Sequence, residues 1–63
     1  MSVLLEFHDI GPNRNPILIP SDSITDIMAG PIAGTVIFTS TGNISVNEDY
    51  ETVKRLWEES RPA

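Results

Sequence analysis

The stretch GTVIFTSTGNISV, residues 34–46, decides the fold class, because it places two runs of β-branched and aromatic residues around a turn. These runs predict strands at 35–40 and 44–46, and the residues 41–43 can supply the positive φ of a hairpin turn. A two-residue loop would pair Ile37 with Val46. A three-residue loop gathers four apolar side chains on one face, namely Val36, Phe38, Ile44 and Val46. Since a one-residue slip moves every side chain to the other face, the hydrophobic pattern favours three residues and leaves Ile37 on the free face.

Three segments before the hairpin also have the composition of strands. Alternating apolar residues predict a half-buried strand at 2–8. The loop at 10–16 contains two prolines, a glycine and two asparagines, and residues 17–19 lie between prolines, so they predict a brief edge strand. Residues 23–28 have isoleucines at a spacing that would also suit a helix. The segment is too short for an independent helix and is β-branched, which favours a strand.

The last element is a helix at about residues 48–59. Asn47 can cap its free backbone donors. One stripe of this helix is apolar and should lie across the sheet: Tyr50, Val53, Leu56 and Trp57. The sequence therefore predicts an α+β fold in a single small domain over 1–63, a small antiparallel β-meander of about four strands with the C-terminal helix packed on one face.

Size and composition restrict the function. The 63 residues contain no cysteine, four basic and nine acidic residues, with a formal net charge of −5. A core this small needs an additional stabiliser, and without disulfides we expect a homodimer or larger assembly. The acidic balance makes nucleic acid an improbable partner. No apolar run has the length of a membrane span and the first residues do not resemble a secretory signal, so we expect a cytoplasmic protein.

We expect no catalytic residue, cofactor site or metal site. His8 and Asp9 are the one histidine–carboxylate neighbour pair, and in a strand their side chains point to opposite faces. His8 is therefore interpreted as a surface or strand-end residue. The regular oxygen ligands of a calcium loop are missing, and the serines and threonines lack a nucleophile elbow. The sequence thus favours a protein that is not an enzyme.

The connection MAGPIAG, Met28–Gly34, is apolar although linkers are usually polar. Its side chains either fold back as a lid over a thin core or protrude to meet another protein surface. Trp57 is more often a core residue at this spacing, yet it could also lie at a subunit boundary. Five residues are the candidates for partner binding: Met28, Pro31, Ile32, Ile37 and Trp57.

The segments PSDSITDI, Pro20–Ile27, and GTVIFTSTGNISVNEDYETVKRLW, Gly34–Trp57, resemble the small flagellar protein family FlbD/SwrD. The resemblance covers about residues 17–57 and rests on hydrophobic positions and a turn. It implies a short β-meander with a terminal helix and a flagellum-associated role. The apolar connection at 28–34 differs from the short polar connection of that family.

Three functions follow as hypotheses. The first is a small non-catalytic protein-binding module, flagellum-associated or a viral or mobile-element modulator of a host protein. The second is an oligomeric ligand- or nucleic-acid-binding regulator, which would have to gather Arg14 and Lys54 with Arg55 into a basic strip. The third is a structural subunit that repeats through edge-to-edge strand pairing.

Overall fold

The computed structural model describes residues 3–60, which form five strands and one helix. The elements are β1 (Leu4–His8), β2 (Pro16–Pro20), β3 (Ile24–Ala29), β4 (Thr35–Thr39), β5 (Gly42–Val46) and α1 (Tyr50–Ser60). All strand pairs are antiparallel, and the helix follows the last strand, so the predicted α+β class is confirmed. Position 2 of the first predicted strand lies outside the described residues.

The strands form two sheets, not one meander of about four strands. One sheet pairs β1 with β2, and the other has the order β3–β4–β5. A short 3-10 turn, Ser21–Ser23, separates them, and the Ser21 N–H donates to the Val3 carbonyl at 2.7 Å. The chain therefore turns away where the first hairpin ends. The sheets meet again at the other end of β1, where Asp9 bridges Val46 and the Asn47 N–H donates to the His8 carbonyl at 2.7 Å.

The β4–β5 hairpin has a different register from the one that the hydrophobic pattern predicts. Thr39 pairs with Gly42, so the loop has two residues instead of three, and Ile37 lies opposite Ile44. The Thr39 hydroxyl accepts the Thr41 N–H at 3.3 Å and donates to the Gly42 carbonyl at 3.1 Å. Gly42 has a φ of 149°, which a glycine adopts easily. The turn chemistry thus sets the register.

The hydrophobic core lies between the two sheets and the helix. Seven side chains are buried in it: Leu5, Phe7, Ile19, Ile24, Ile37, Val46 and Val53. Ile37 is 0% exposed, which corrects its prediction as a partner-binding residue on the free face. Since Ile37 points inward, Val36 and Phe38 point outward. Trp57 is half-buried and packs against the core together with Leu56, as the helix stripe predicts.

The helix begins two residues later than predicted. Asp49, not Asn47, is the capping residue, because its carboxylate accepts the Thr52 N–H at 3.2 Å and its carbonyl accepts the Val53 N–H at 3.0 Å. The hydrogen bonds from Thr52 lower the pKa of the Asp49 carboxyl. Asn47 instead extends the contact between β5 and the end of β1, because its N–H donates to the His8 carbonyl.

Over residues 3–60, no helix has the length and apolar character needed to cross a bilayer.

Candidate functional site

The loop between β3 and β4 is a closed bend that raises three apolar residues from the sheet. The Gly30 N–H donates to the Gly34 carbonyl at 3.0 Å, which closes the bend at its base. Gly34 has a φ of +74°, and a Cβ atom at this position would overlap the carbonyl oxygen of Val46. Glycine is therefore required where the loop re-enters the sheet. The residues between, 31–33, are all exposed.

The apolar connection protrudes and does not act as a lid. Ile32 is 97% exposed at the loop, and Met28 is 50% exposed at the end of β3 that leads into it. Ile10, from the loop after β1, is the third large apolar residue here, and its side chain lies over Gly34. Two segments that are distant in sequence thus present apolar side chains at one place on the surface.

A groove of about 430 Å³ lies beside this loop. Residues 30–33 and Ile10 line it together with the outward-facing pair Val36 and Ser45 of β4 and β5. No ionisable side chain is among its lining residues within the described part of the chain. We name the groove, Met28 and the tip of Ile32 the apolar face. Such a surface can accept apolar side chains, with the Ser45 hydroxyl as a hydrogen-bonding group at its border.

The five predicted partner-binding residues separate into two groups. Met28, Pro31 and Ile32 lie together on the apolar face, whereas Ile37 is in the core and Trp57 packs against it. The sequence reasoning missed Ile10 and Val36. Ile10 could have been found as an isolated large apolar residue in a loop of polar, glycine and proline residues. Val36 was assigned to the inner face by the incorrect register.

A second apolar patch lies on the outer face of the two-stranded sheet. Leu5 pairs with Ile19 on the inner face, so the neighbouring residues Leu4 and Leu18 point outward. Each is 59% exposed. Glu6 lies opposite Leu18 in the register, so this patch has a carboxylate beside it. We use this patch as the control surface for substitutions on the apolar face.

The histidine environment contains Glu48, which the sequence reasoning did not select. Its carboxylate accepts the His8 backbone N–H at 2.9 Å and lies 2.6 Å from His8 Nδ1. Burial raises the pKa of Glu48, but the hydrogen bonds from His8 outweigh burial, so the pKa is lowered from 4.5. Glu6 lies 3.7 Å from the other ring nitrogen. As predicted, His8 is a strand-end residue, and its ring joins β1 to the segment that precedes the helix.

Two further hydrogen bonds hold this junction together. The Thr35 hydroxyl donates to the Glu48 carbonyl at 2.8 Å, which satisfies a threonine that is almost fully buried. The Asn47 N–H donates to the His8 carbonyl. Strands β1, β4 and β5 are therefore fixed to the start of the helix by side-chain and backbone hydrogen bonds. The junction stabilises the fold and supports the sheet that carries the apolar face.

Two of the four edge strands, β2 and β3, have protected edges. Strand β2 begins and ends with proline, which has no N–H to donate. Strand β3 has an irregular register between Ile24 and Asp26, and the Asp26 carboxylate accepts the neighbouring Ile27 N–H at 2.9 Å. Bulges, prolines and charged residues at an edge oppose pairing with another chain.

No protein-family model matches the chain, and neither the curated proteins nor the solved structures contain a significant match to it. The resemblance to the FlbD/SwrD family therefore stays a prediction from the sequence.

Proposed function

We propose that this protein is a small, cytoplasmic, non-catalytic protein-binding module. The observation that carries the proposal is the apolar face, where an isoleucine that is 97% exposed lies beside a groove without charged lining residues. Its partner is a flagellar component or, if the gene belongs to a virus or mobile element, a component of the host cell.

The energetics of the apolar face support a binding role. Burying one isoleucine side chain stabilises a complex by about 1.5–3 kcal/mol. Three large apolar residues, Ile10, Met28 and Ile32, are 42% or more exposed here. Contiguous apolar patches on small proteins commonly mark interaction sites, because they are unfavourable in water. A partner that covers these residues would bind mainly through the hydrophobic effect.

The groove is large enough for anchoring side chains of a partner. An apolar cavity of about 150 Å³ accommodates one benzene molecule. At about 430 Å³, the groove has room for two or three side chains of that size. Interfaces between proteins depend on a few such anchors in apolar pockets. The shape of the face therefore suits a protein partner with protruding apolar side chains.

The alternative functions receive less support. The Arg14 guanidinium donates to the carbonyls of Ile10 and Gly11, so this cation is bound to its own loop and is poorly placed to join Lys54 and Arg55 in a basic strip. Polymerisation through the edges of β2 and β3 is opposed by the prolines at both ends of β2 and by the irregular, carboxylate-protected β3. Both observations favour binding through the apolar face.

Affinity capture from the source cell tests the proposal with three baits. Ile32→Asp places a charge on the apolar face, and Leu18→Asp places the same charge on the control surface. We expect the wild-type protein and Leu18→Asp to capture the same partner and Ile32→Asp to lose it. Circular dichroism checks that all three are folded. Equal capture by the wild-type protein and Ile32→Asp would refute the role of the apolar face.

A further inference from the structure

The ring of His8 lies between two carboxylates at the end of β1. Its Nδ1 atom is 2.6 Å from a carboxylate oxygen of Glu48, and its Nε2 atom is 3.7 Å from a carboxylate oxygen of Glu6. An ionised carboxylate can only accept a hydrogen bond, so the proton of the neutral ring lies on Nδ1 and is donated to Glu48. The lone pair of Nε2 therefore lies on the side of Glu6.

Two electron-pair donors thus face each other without a hydrogen atom between them. Residues two apart on a strand share a face, so Glu6 and His8 lie on the same side of β1. The distance of 3.7 Å between Nε2 and the Glu6 oxygen is too long for a hydrogen bond. A cation that bonds to both atoms requires a separation of this kind, so the pair can supply two ligands for one ion.

We propose that His8 Nε2 and the Glu6 carboxylate bind one divalent transition-metal ion of the Zn²⁺ type, and that Glu48 orients the imidazole for this role. Zn²⁺ forms bonds of about 2.0–2.2 Å to histidine nitrogen and carboxylate oxygen, in tetrahedral geometry. Two ligands at a tetrahedral angle are then about 3.4 Å apart. The observed 3.7 Å is close to this value, and a small rotation of the exposed Glu6 side chain closes the difference.

The contact with Glu48 distinguishes this site from a chance pair of neighbouring ligands. A metal-binding histidine usually donates its other ring N–H to a carboxylate or carbonyl, which fixes the tautomer and the ring orientation. Glu48 is itself held in place, because its second oxygen accepts the His8 backbone N–H at 2.9 Å. It follows His8 by 40 residues, so the local spacing that predicted no metal site did not include it.

The metal-binding side of the ring is accessible from solvent. The side chains of His8 and Glu6 are 43% and 57% exposed. Within residues 3–60, no three histidine, cysteine, aspartate or glutamate side chains are arranged around a common ion position, so water would complete the coordination. Imidazole nitrogen suits zinc or copper, whereas calcium and magnesium prefer oxygen ligands alone. The site shares no residue with the apolar face and is independent of the proposed function.

Calorimetric titration with zinc chloride at pH 7.5 provides the first test. We expect the wild-type protein to bind one Zn²⁺ ion per chain and His8→Gln to bind none. Glu48→Gln should bind about 10–100-fold more weakly, which is the usual effect of removing a residue that orients a metal ligand. Glu58→Gln, which removes an exposed carboxylate on the helix, should bind as wild type. A wild-type protein that binds no zinc at millimolar concentration, or His8→Gln that binds normally, would overturn the proposal.

A matched pair of variants identifies the carboxylate ligand. Glu6 and Asp9 are both close to His8 in sequence, but Asp9 turns its carboxylate to the Gly11 N–H at 3.2 Å. Glu6→Gln should weaken zinc binding, and Asp9→Asn should leave it unchanged. Equal loss in the two variants would indicate general attraction to an acidic protein and would refute the site.

NMR of the His8 ring nitrogens tests the geometry without relying on affinity. Before zinc is added, we expect the tautomer with its proton on Nδ1, and zinc should then shift the Nε2 signal to that of a coordinated nitrogen. A proton on Nε2 of the neutral ring, or zinc bound at Nδ1, would contradict the role of Glu48. Circular dichroism checks that each variant is folded. If His8→Gln is unfolded, the Glu6→Gln titration and the ring spectrum still decide the question.

Discussion

Replacement of Glu48 should destabilise the protein more than replacement of any other glutamate in the described residues, because its carboxylate joins the end of β1 to the start of the helix. Only 19% of the side chain is exposed, and it accepts two hydrogen bonds from His8. A hydrogen bond to a charged acceptor contributes about 1.5–3 kcal/mol when it is protected from water. The hydrogen bond from the His8 backbone N–H to the Glu48 carboxylate is protected in this way. The ring of His8 is 43% exposed, so its bond to the carboxylate contributes less than about 1 kcal/mol.

From these contacts we expect Glu48→Ala to lower the free energy of unfolding by about 2 kcal/mol. Glu48→Gln keeps an acceptor for the backbone N–H and should cost about 1 kcal/mol. For a domain of this size, 2 kcal/mol corresponds to a decrease in Tm of roughly 8–16 °C. The assay is urea denaturation followed by circular dichroism. Glu58→Gln, which changes an exposed helix residue in the same way, is the control and should stay within about 0.5 kcal/mol of wild type.

The pH dependence provides an independent check on the same contact. The pKa of Glu48 is lowered in the folded protein, so the unfolded state binds its proton more tightly. Its contribution is therefore complete above the ordinary value of 4.5 and is lost as the pH falls through the folded-state pKa. The difference between wild type and Glu48→Gln should shrink between pH 7 and pH 3. A difference that is the same at both values, or a Glu48→Ala variant as stable as the control, would refute this account of the junction.

Five further substitutions, two of them as matched comparisons, test the fold, and each is measured by urea denaturation. Gly34→Ala should cost about 2 kcal/mol or more, because φ is +74° and the added carbon meets backbone, whereas Gly42→Ala meets no atom within 4 Å and should cost less. Ile37→Ala should cost about 2–5 kcal/mol and the outward-facing Val36→Ala less than about 1 kcal/mol; equal costs would contradict the observed register. Asp49→Ala should cost about 0.5–2 kcal/mol through loss of the helix cap, and no loss would contradict the assignment of the cap.

The sequence predicted the elements of this fold better than their arrangement. Each of the five predicted strand segments overlaps an observed strand, and the apolar stripe of the helix packs on the core as expected. These features follow from local periodicity and from proline and glycine positions. The division into two sheets does not, because it depends on a hydrogen bond between Ser21 and Val3 and on the junction between Asp9 and Val46. Such contacts join residues that are distant in sequence.

The register of the hairpin shows why the candidate site was predicted only in part. Both faces of β4 carry large apolar residues, so hydrophobicity alone does not choose between them. The inner face also carries Thr35, whose hydroxyl makes it resemble a solvent-facing position. In the structure this hydroxyl donates to the Glu48 carbonyl, so the threonine is buried at little cost. A pattern of hydrophobic and polar residues gives the wrong face when a polar residue is buried with a hydrogen-bond partner in a small core.

The same register connects the turn of the hairpin to the apolar face. The two-residue turn puts Ile37 in the core and therefore puts Val36 outside, beside Ser45 and below the protruding loop. With the three-residue loop, Val36 would be buried and the groove would lose one of its lining side chains. The threonine hydrogen bonds of a solvent-exposed turn thus determine that Val36 lies on the outer face of the sheet. The apolar face exists because the core uses only one side of β4, and the side that remains is the one available for binding.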